Sequence, residues 1–361
     1  MAAYLPGRLQ THTIEDWSLL PVDIIISIAL NLNAFEDFIC FSSVCRSWNR
    51  ASSLIKHQWR AKPPVPWLLL AENTNKNPNC LRKLFNITND KCYQLSLPET
   101  FGKRCWGSAY GWHFDWFMYR FFNKLIVINV SQGDRREFVI IVIYSYNKYL
   151  AFSRHGDQFW TSIIVKNRRN VVDVVTMGDY VFALNNDESI IVEPVEYCPP
   201  GDPEIFRGMS HDDRSIYLAQ SYFDLLMVLR YRDDALISDE SDLDGNDLHN
   251  LDNFPYITIV FKVFKLDHKH KSWVEIEDMN DVALFVGDNY SMCVSPTLVK
   301  CFKPNCIYFN DEAANYWCWD ARAVGQDMGI FDTKYGQRWQ FYRGDDISSS
   351  IYPPVWFIPQ L

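Results

Sequence analysis

The sequence predicts a multidomain α+β chain: a small all-α helical bundle followed by an all-β propeller with degenerate blades. Three observations predict it. Residues 19–48 place apolar side chains at helical spacing. A joint containing Pro63, Pro64 and Pro66 comes next, and prolines stop a helix. From residue 66 onward, short apolar runs alternate with Gly, Asn and Asp turns, which is the texture of strands. The expected boundaries are 16–55 for the helical module, 56–65 for the joint and 66–361 for the β domain.

In the module, Leu20-Pro21 opens the first helix, because proline is preorganised for a first turn where its missing N–H costs nothing. Asp23 puts a carboxylate near the positive end of that helix's dipole. Ile24, Ile25, Ile28 and Leu32 form one apolar set, and Phe38, Phe41, Val44, Cys45 and Trp48 form a second. The order Leu20-Pro21-x-Asp23-Ile24-Ile25-x-x-Ile28, then Asp37-Phe38-x-x-Phe41-x-x-Val44-Cys45-Arg46-x-Trp48, closely resembles the F-box, with Asp23 where Glu is commoner. The resemblance implies docking to a Skp-type adaptor and, through it, to the cullin and RING subunits of a ubiquitin ligase. It assigns the adaptor-binding face to Leu20, Pro21, Ile24, Ile25, Ile28, Leu32, Phe38, Val44 and Trp48. The physical logic agrees: so aliphatic a stretch beside a β-rich chain cannot bury all its surface alone, and helix-in-groove recognition is the usual use of such a surface. The bland alternative is a helical hairpin that packs only on its own domain.

Beyond the joint, the expected strands are Trp67–Ala71, Leu125–Val130, Phe138–Tyr144, Tyr149–Ser153, Val171–Thr176, Tyr180–Leu184, Ser189–Val192, Ile216–Ala219, Leu225–Leu229, Ile257–Leu266, Ala283–Val286, Cys306–Phe309 and Met328–Phe331. Many short strands with no helical period between them imply a sandwich, barrel or propeller. An internal echo favours the propeller. Phe85…Tyr93, Phe152…Trp160, Phe264…Trp273 and Phe331…Trp339 are each an apolar strand with Phe, a polar turn and an aromatic opening the next strand. The Phe-to-aromatic spacing is 8, 8, 9 and 8, while the aromatics themselves are 67, 113 and 66 residues apart. In kelch-like blades an aromatic so placed packs between neighbouring blades. The phrases Trp273-Val-Glu-Ile-Glu-Asp278, Ala283-Leu-Phe-Val-Gly-Asp-Asn289, Lys303-Pro-Asn-Cys-Ile-Tyr-Phe309 and Asp327-Met-Gly-Ile-Phe331 look like the plant F-box family with a C-terminal KIB-type, kelch-like propeller. That resemblance implies a plant source and a substrate-receptor role.

Composition narrows the function. The formal charge of −9 over 361 residues argues against a general nucleic-acid binder, and Lys166-Asn-Arg168-Arg169 is too short a basic run to reverse that. No apolar run approaches the roughly 20 residues that span a bilayer, so no membrane partner is expected. No secretory leader is visible, and the ten cysteines read as reduced thiols of a cytoplasmic and/or nuclear protein. Residues 232–253 hold eight acidic side chains and one arginine and read as a solvated loop, with an acidic contact for a basic target or phosphorylation at Ser238 or Ser241 as the functional alternative. Asp242, Asp244 and Asn246 begin like a calcium loop, but Asp247 stands where glycine is required and Asn253 where a bidentate Glu is needed. Cys40/Cys45 and Cys301/Cys306 have no partner pair for zinc. Phosphate-binding glycine loops and a nucleophile elbow are missing from the sequence. The expectation is therefore a non-catalytic receptor subunit with no metal and no cofactor, whose target protein is unknown. A scaffold that binds the adaptor outside a ligase, and a ligand- or carbohydrate-binding propeller with a vestigial F-box, are the rival functions.

Overall fold

The computed structural model describes residues 16–60, 62, 65–70, 81–98, 104–106, 114–116, 122–129, 138–145, 149–163, 170–177, 180–186, 190–192, 195–197, 214–221, 224–233, 257–287, 289–311, 327–342 and 354–359. The chain divides into two compact units, Met1–Lys62 with Gln360–Leu361, and Pro63–Pro359.

In the first unit a 3-10 turn, Trp17–Leu19, leads into α1 (Val22–Asn31), α2 (Phe35–Ser42) and α3 (Arg46–Arg60). Pro21 stands one position before the first helical turn, as the N-cap, and its carbonyl accepts from Ile24 N–H (3.0 Å) and Ile25 N–H (3.1 Å). Asp23 lies in the first turn of α1, and Glu36 and Asp37 in that of α2, each favourable to the helix dipole. α3 runs through Arg60, so the stretch 56–60, expected in the joint, is helical. Nothing in Ile55–Arg60 breaks a helix, and Ile55 and Trp59 prolong the stripe begun by Trp48 and Ala51. The break comes at Lys62, which precedes a proline and is biased away from helical backbone. The core of this unit is Ile25, Ala29, Phe38, Phe41, Ala51, Ile55 and Trp59.

The second unit is a succession of small sheets. The first holds β1 (Trp67–Leu69), β2 (Leu81–Asn86) and β3 (Lys91–Ser96), and a two-stranded ladder of β4 (Arg104–Trp106) and β5 (Phe114–Trp116) follows. Two four-stranded antiparallel meanders come next. One is β6 (Phe122–Asn129), β7 (Phe138–Tyr144), β8 (Tyr149–Arg154) and β9 (Thr161–Ile163); the other is β10 (Val171–Met177), β11 (Tyr180–Asn185), β12 (Ile190–Val192) and β13 (Val195–Tyr197). A third meander has β14 (Arg214–Ser221), β15 (Asp224–Asp233), β16 (Ile257–Asp267) and β17 (Ser272–Ile276). The next sheet combines β18 (Ala283–Val286), β19 (Met292–Val294), β20 (Cys306–Phe309), β21 (Gly329–Asp332) and β22 (Arg338–Trp339) in the order β19-β18-β20-β21-β22, with β18 and β20 parallel. Finally β23 (Val355–Phe357) pairs with β1, so the last strand completes the first sheet.

Successive sheets share apolar layers, as the blades of a propeller do. Ile126, Ile141 and Ile143 pack with Val171, Val174 and Ala183. Phe182 and Leu184 pack with Leu218, Met227 and Trp273, and Tyr217, Leu226 and Phe261 with Leu284, Ile307 and Phe309. Phe285 and Tyr308 close on Leu68, Phe85 and Trp356 of the first sheet. The four echoed hairpins all fall at the β2–β3, β8–β9, β16–β17 and β21–β22 reversals, the last two strands of their sheets. The wide interval of 113 residues is explained by the β10–β13 sheet, whose last hairpin, Ile190–Val192 with Val195–Tyr197, carries no such aromatic signature. Trp273 is buried against the preceding sheet, as expected, whereas Trp160 is half exposed.

Two buried polar clusters tie sheets together. The Asp173 carboxylate on β10 pairs with Lys124 on β6 and accepts from Val174 N–H (2.6 Å) and Leu218 N–H (2.7 Å), the latter on β14. Arg230 on β15 donates to Thr258 Oγ1 (2.8 Å), Asn310 O (2.7 Å), Asp327 O (2.8 Å) and Asp327 Oδ2 (2.9 Å). The acidic segment beyond Asp233 lies outside the described residues; its flanks Asp233 and Ile257 pair with each other at one end of the β15–β16 ladder.

Candidate docking face of the helical module

α1 and α2 form a hairpin against α3, and side-chain bonds to backbone fix its corners. Trp59 Nε1 donates to Ala29 O (3.3 Å), and the Trp59 ring lies 4.4 Å from that of Phe38. Ser42 and Ser43 hydroxyls both donate to Ile39 O (2.8 Å each), satisfying a carbonyl at the end of α2. At the start of α3, Trp48 Nε1 donates to Trp17 O (3.1 Å) and Ser47 Oγ to Ser18 O (2.9 Å), so the 3-10 turn is held against α3. Asp16 caps that turn through Ser18 N–H (3.0 Å), and the Ser18 hydroxyl and N–H hold its carboxyl below the ordinary carboxylate value. The Cys45 thiol lies 3.0 Å from Ser47 Oγ; that hydroxyl, then Trp48 N–H, draws its pKa below the ordinary thiol value.

The nine residues singled out from sequence separate into three groups. Pro21, Ile24 (49% exposed) and Val44 (59% exposed) are open to a partner. Leu20, Ile28, Leu32 and Trp48 are half-buried, seated on the module's core with an edge outward. Ile25 (0%) and Phe38 (2%) are core residues, and this corrects the expectation that they belong to the face. On α1 the successive side chains of Ile24 and Ile25 point about 100° apart, and here Ile24 turns outward while Ile25 turns into the core. Sequence reasoning missed Trp17 (60% exposed), Leu19 (79% exposed), Val22, Ile39 and Leu54, all apolar and exposed. A strict 3.6-residue reading would have separated Ile24 from Ile25; the turn before Leu20 carried no period to read.

So many exposed aliphatic and aromatic side chains on a module of three short helices form a surface that water does not favour, and its chemistry is that of a protein-docking face. Among the described residues no cluster of three metal-ligating side chains occurs. Comparison with known proteins agrees with this geometry. Residues 17–57 match the F-box domain family, and residues 116–332 match the KIB1-4 beta-propeller family.

The chain belongs to the F-box proteins that carry a KIB1-4 β-propeller.

Similar proteins align with nearly the whole chain. F-box protein SKIP23 of Arabidopsis thaliana is 24% identical over 396 residues, covering 94% of each chain. F-box protein At2g17036 of Arabidopsis thaliana is 23% identical over 394 residues, again covering 94% of each. The F-box match takes in the 3-10 turn, α1, α2 and most of α3, and the propeller match runs from the end of β5 through β21.

Proposed function

We propose that this F-box protein is the substrate-recognition subunit of a Skp-cullin-F-box ubiquitin ligase. The observation that carries the reading is the exposed apolar face of the F-box, with Pro21, Ile24 and Val44 open and Leu20, Ile28, Leu32 and Trp48 half open around them. That face docks a Skp-type adaptor and through it the cullin and RING subunits, while the propeller holds a target protein. The chain itself makes and breaks no bonds. It raises the local concentration of the target's lysines near a charged conjugating enzyme, so its contribution to rate is proximity. It works in a reducing compartment, cytoplasm or nucleus. A few well-seated apolar groups dominate such interfaces, and losing one costs about 2 kcal/mol or more, roughly thirtyfold in affinity. The test is co-expression with a plant Skp-type adaptor and pull-down of wild type and the Leu20→Ala/Pro21→Ala double variant. Retention by wild type and loss in the variant is the expected result; a folded wild type that retains no adaptor overturns the reading.

A further inference from the structure

α3 carries Arg46, Arg50, Lys56 and His57 and no carboxylate anywhere along its length, in a chain whose formal charge is −9. Its two sides differ completely. Ala51, Ser52, Ile55 and Trp59 turn inward and are buried. Arg46, Arg50, Ser53 and His57, at steps of four, three and four residues, share the opposite side and are exposed. Lys56 lies beside them, half-buried. The polar residues among the cations fold down onto backbone: Asn49 Nδ2 donates to Ser42 O (3.0 Å) at the end of α2, and Ser53 Oγ donates to Asn49 O (3.0 Å). The arginines therefore stand above a fixed base.

This arrangement works against the helix that carries it. Arg46 opens α3, where the dipole is positive, and Arg50 follows one turn later as a like-charge pair at i,i+4. Asp23, Glu36 and Asp37 stand in the first turns of α1 and α2, and among the described residues no carboxylate pairs with Arg46, Arg50 or Lys56. A face serving solubility alone carries both signs interspersed. A helix that lies on a bilayer inserts its apolar side, whereas the apolar side of α3 is already packed in the core. The apolar docking face takes only Trp48 from α3, and Trp48 is seated on that core.

We propose that the α3 stripe is a docking surface for an acidic protein segment, separate from the apolar face and independent of the ligase reading. From residue 46 to residue 57 the stripe is about 16 Å long, and Arg46 and Arg50 are about 6 Å apart along the axis. An extended segment of about five residues covers that length, and its alternate side chains, about 7 Å apart, match the cation spacing. Exposed cations of this kind mainly speed encounter and reject basic partners.

The experiment uses the full chain and a fluorescein-labelled peptide of alternating Glu and Ser, read by anisotropy at low ionic strength, beside its Gln-Ser counterpart. Wild type is expected to bind the Glu peptide about tenfold more tightly than the Gln peptide, and added salt to erase the difference. Arg46→Glu/Arg50→Glu is expected to lose that preference. Lys269→Glu/Lys271→Glu, which reverses two exposed lysines of the β16–β17 turn, is expected to keep it. If charge reversal lowers helicity, Arg46→Gln/Arg50→Gln takes its place with the same expected loss. No preference in wild type, a preference that survives loss of both arginines, or an equal loss in the lysine variant overturns the proposal. Phosphatidylserine vesicles that retain wild type but not the arginine variant overturn it in favour of a membrane surface. A Skp-type adaptor added to saturation is expected to leave the peptide bound, and displacement assigns the stripe to the adaptor and overturns a separate partner. If no adaptor binds, the ligase reading falls while the peptide measurements still decide for or against the stripe.

Discussion

Arg230 is 1% exposed, and its guanidinium reaches both neighbouring strands of its own sheet and two positions beside strands of the next. It sits on β15, reaches Tyr217 Oη on β14 (3.4 Å) and Thr258 on β16, and crosses to Asn310 and Asp327 beside β20 and β21. Arg338 on β22 holds the other oxygen, Asp327 Oδ1, at 2.6 Å. Removing one partner from such a cluster strands the others without water, which costs about 3–5 kcal/mol. Arg230→Met is expected to lose that much in urea unfolding of the propeller while the F-box keeps its helicity. Burial alone would raise the pKa of Asp327, but Arg230, then Arg338 and the Thr258 hydroxyl, outweigh it and hold the carboxyl below its ordinary value. The sign follows: a depressed carboxylate contributes stability that is complete above the unfolded-state value, about 4, and is lost as pH falls through the lower folded-state value. Urea midpoints measured at neutral pH and down to pH 3 should thus fall more steeply with acid for wild type than for Asp327→Asn.

At the scale of elements, α1 offers a contrast that separates docking from folding. Ile24 is half exposed and Ile25 is fully buried. Ile24→Asp is expected to abolish adaptor pull-down with the F-box melting transition nearly unmoved. Ile25→Ala should cost about 2–5 kcal/mol of F-box stability, because it opens a cavity in the bundle core; thermal melting of the two variants checks the pair. The sequence made the helices legible through the proline, the acidic first turns and the apolar period, and it made the long strands legible as runs such as Phe138–Tyr144 and Ile257–Leu266. Of the three-residue strands, β1 and β12 fell within expected runs, but others did not. Val355–Phe357 and Met292–Val294 are three residues each, too short for an alternation to register, and their places are set by partners distant in sequence. The outermost strand β3 is almost wholly exposed, so burial imposed no pattern on it; its aromatic Tyr93 was found only by its spacing from Phe85 in the repeated hairpin, and the structure stacks it on Trp67 (5.1 Å). The docking face was legible as a motif, while its division into contact and core residues required the helix axis.

At the scale of the whole molecule, the propeller unit depends on its final strand. Leu68 pairs with Trp356, whose indole N–H donates to Val286 O (2.8 Å) and whose backbone meets Asn289, while Asn310 Nδ2 donates to Pro354 O (2.8 Å). Trp356→Ala is expected to destabilise the propeller by about 3–5 kcal/mol, read by calorimetric unfolding, and to leave adaptor binding intact because the F-box is a separate unit. This closure has a consequence during synthesis. The core of the F-box lies within Leu20–Trp59, but the first propeller sheet waits for a strand about 290 residues downstream, on the order of 15–60 s of translation at ordinary elongation rates. Throughout that interval the nascent chain has a finished docking module and an open edge at Trp67–Leu69, the kind of edge that other strands add to. On the proposed function, a product that terminates before Val355 would occupy adaptors without a closed receptor behind them, so a late nonsense mutation should act as a dominant competitor and not as a simple null.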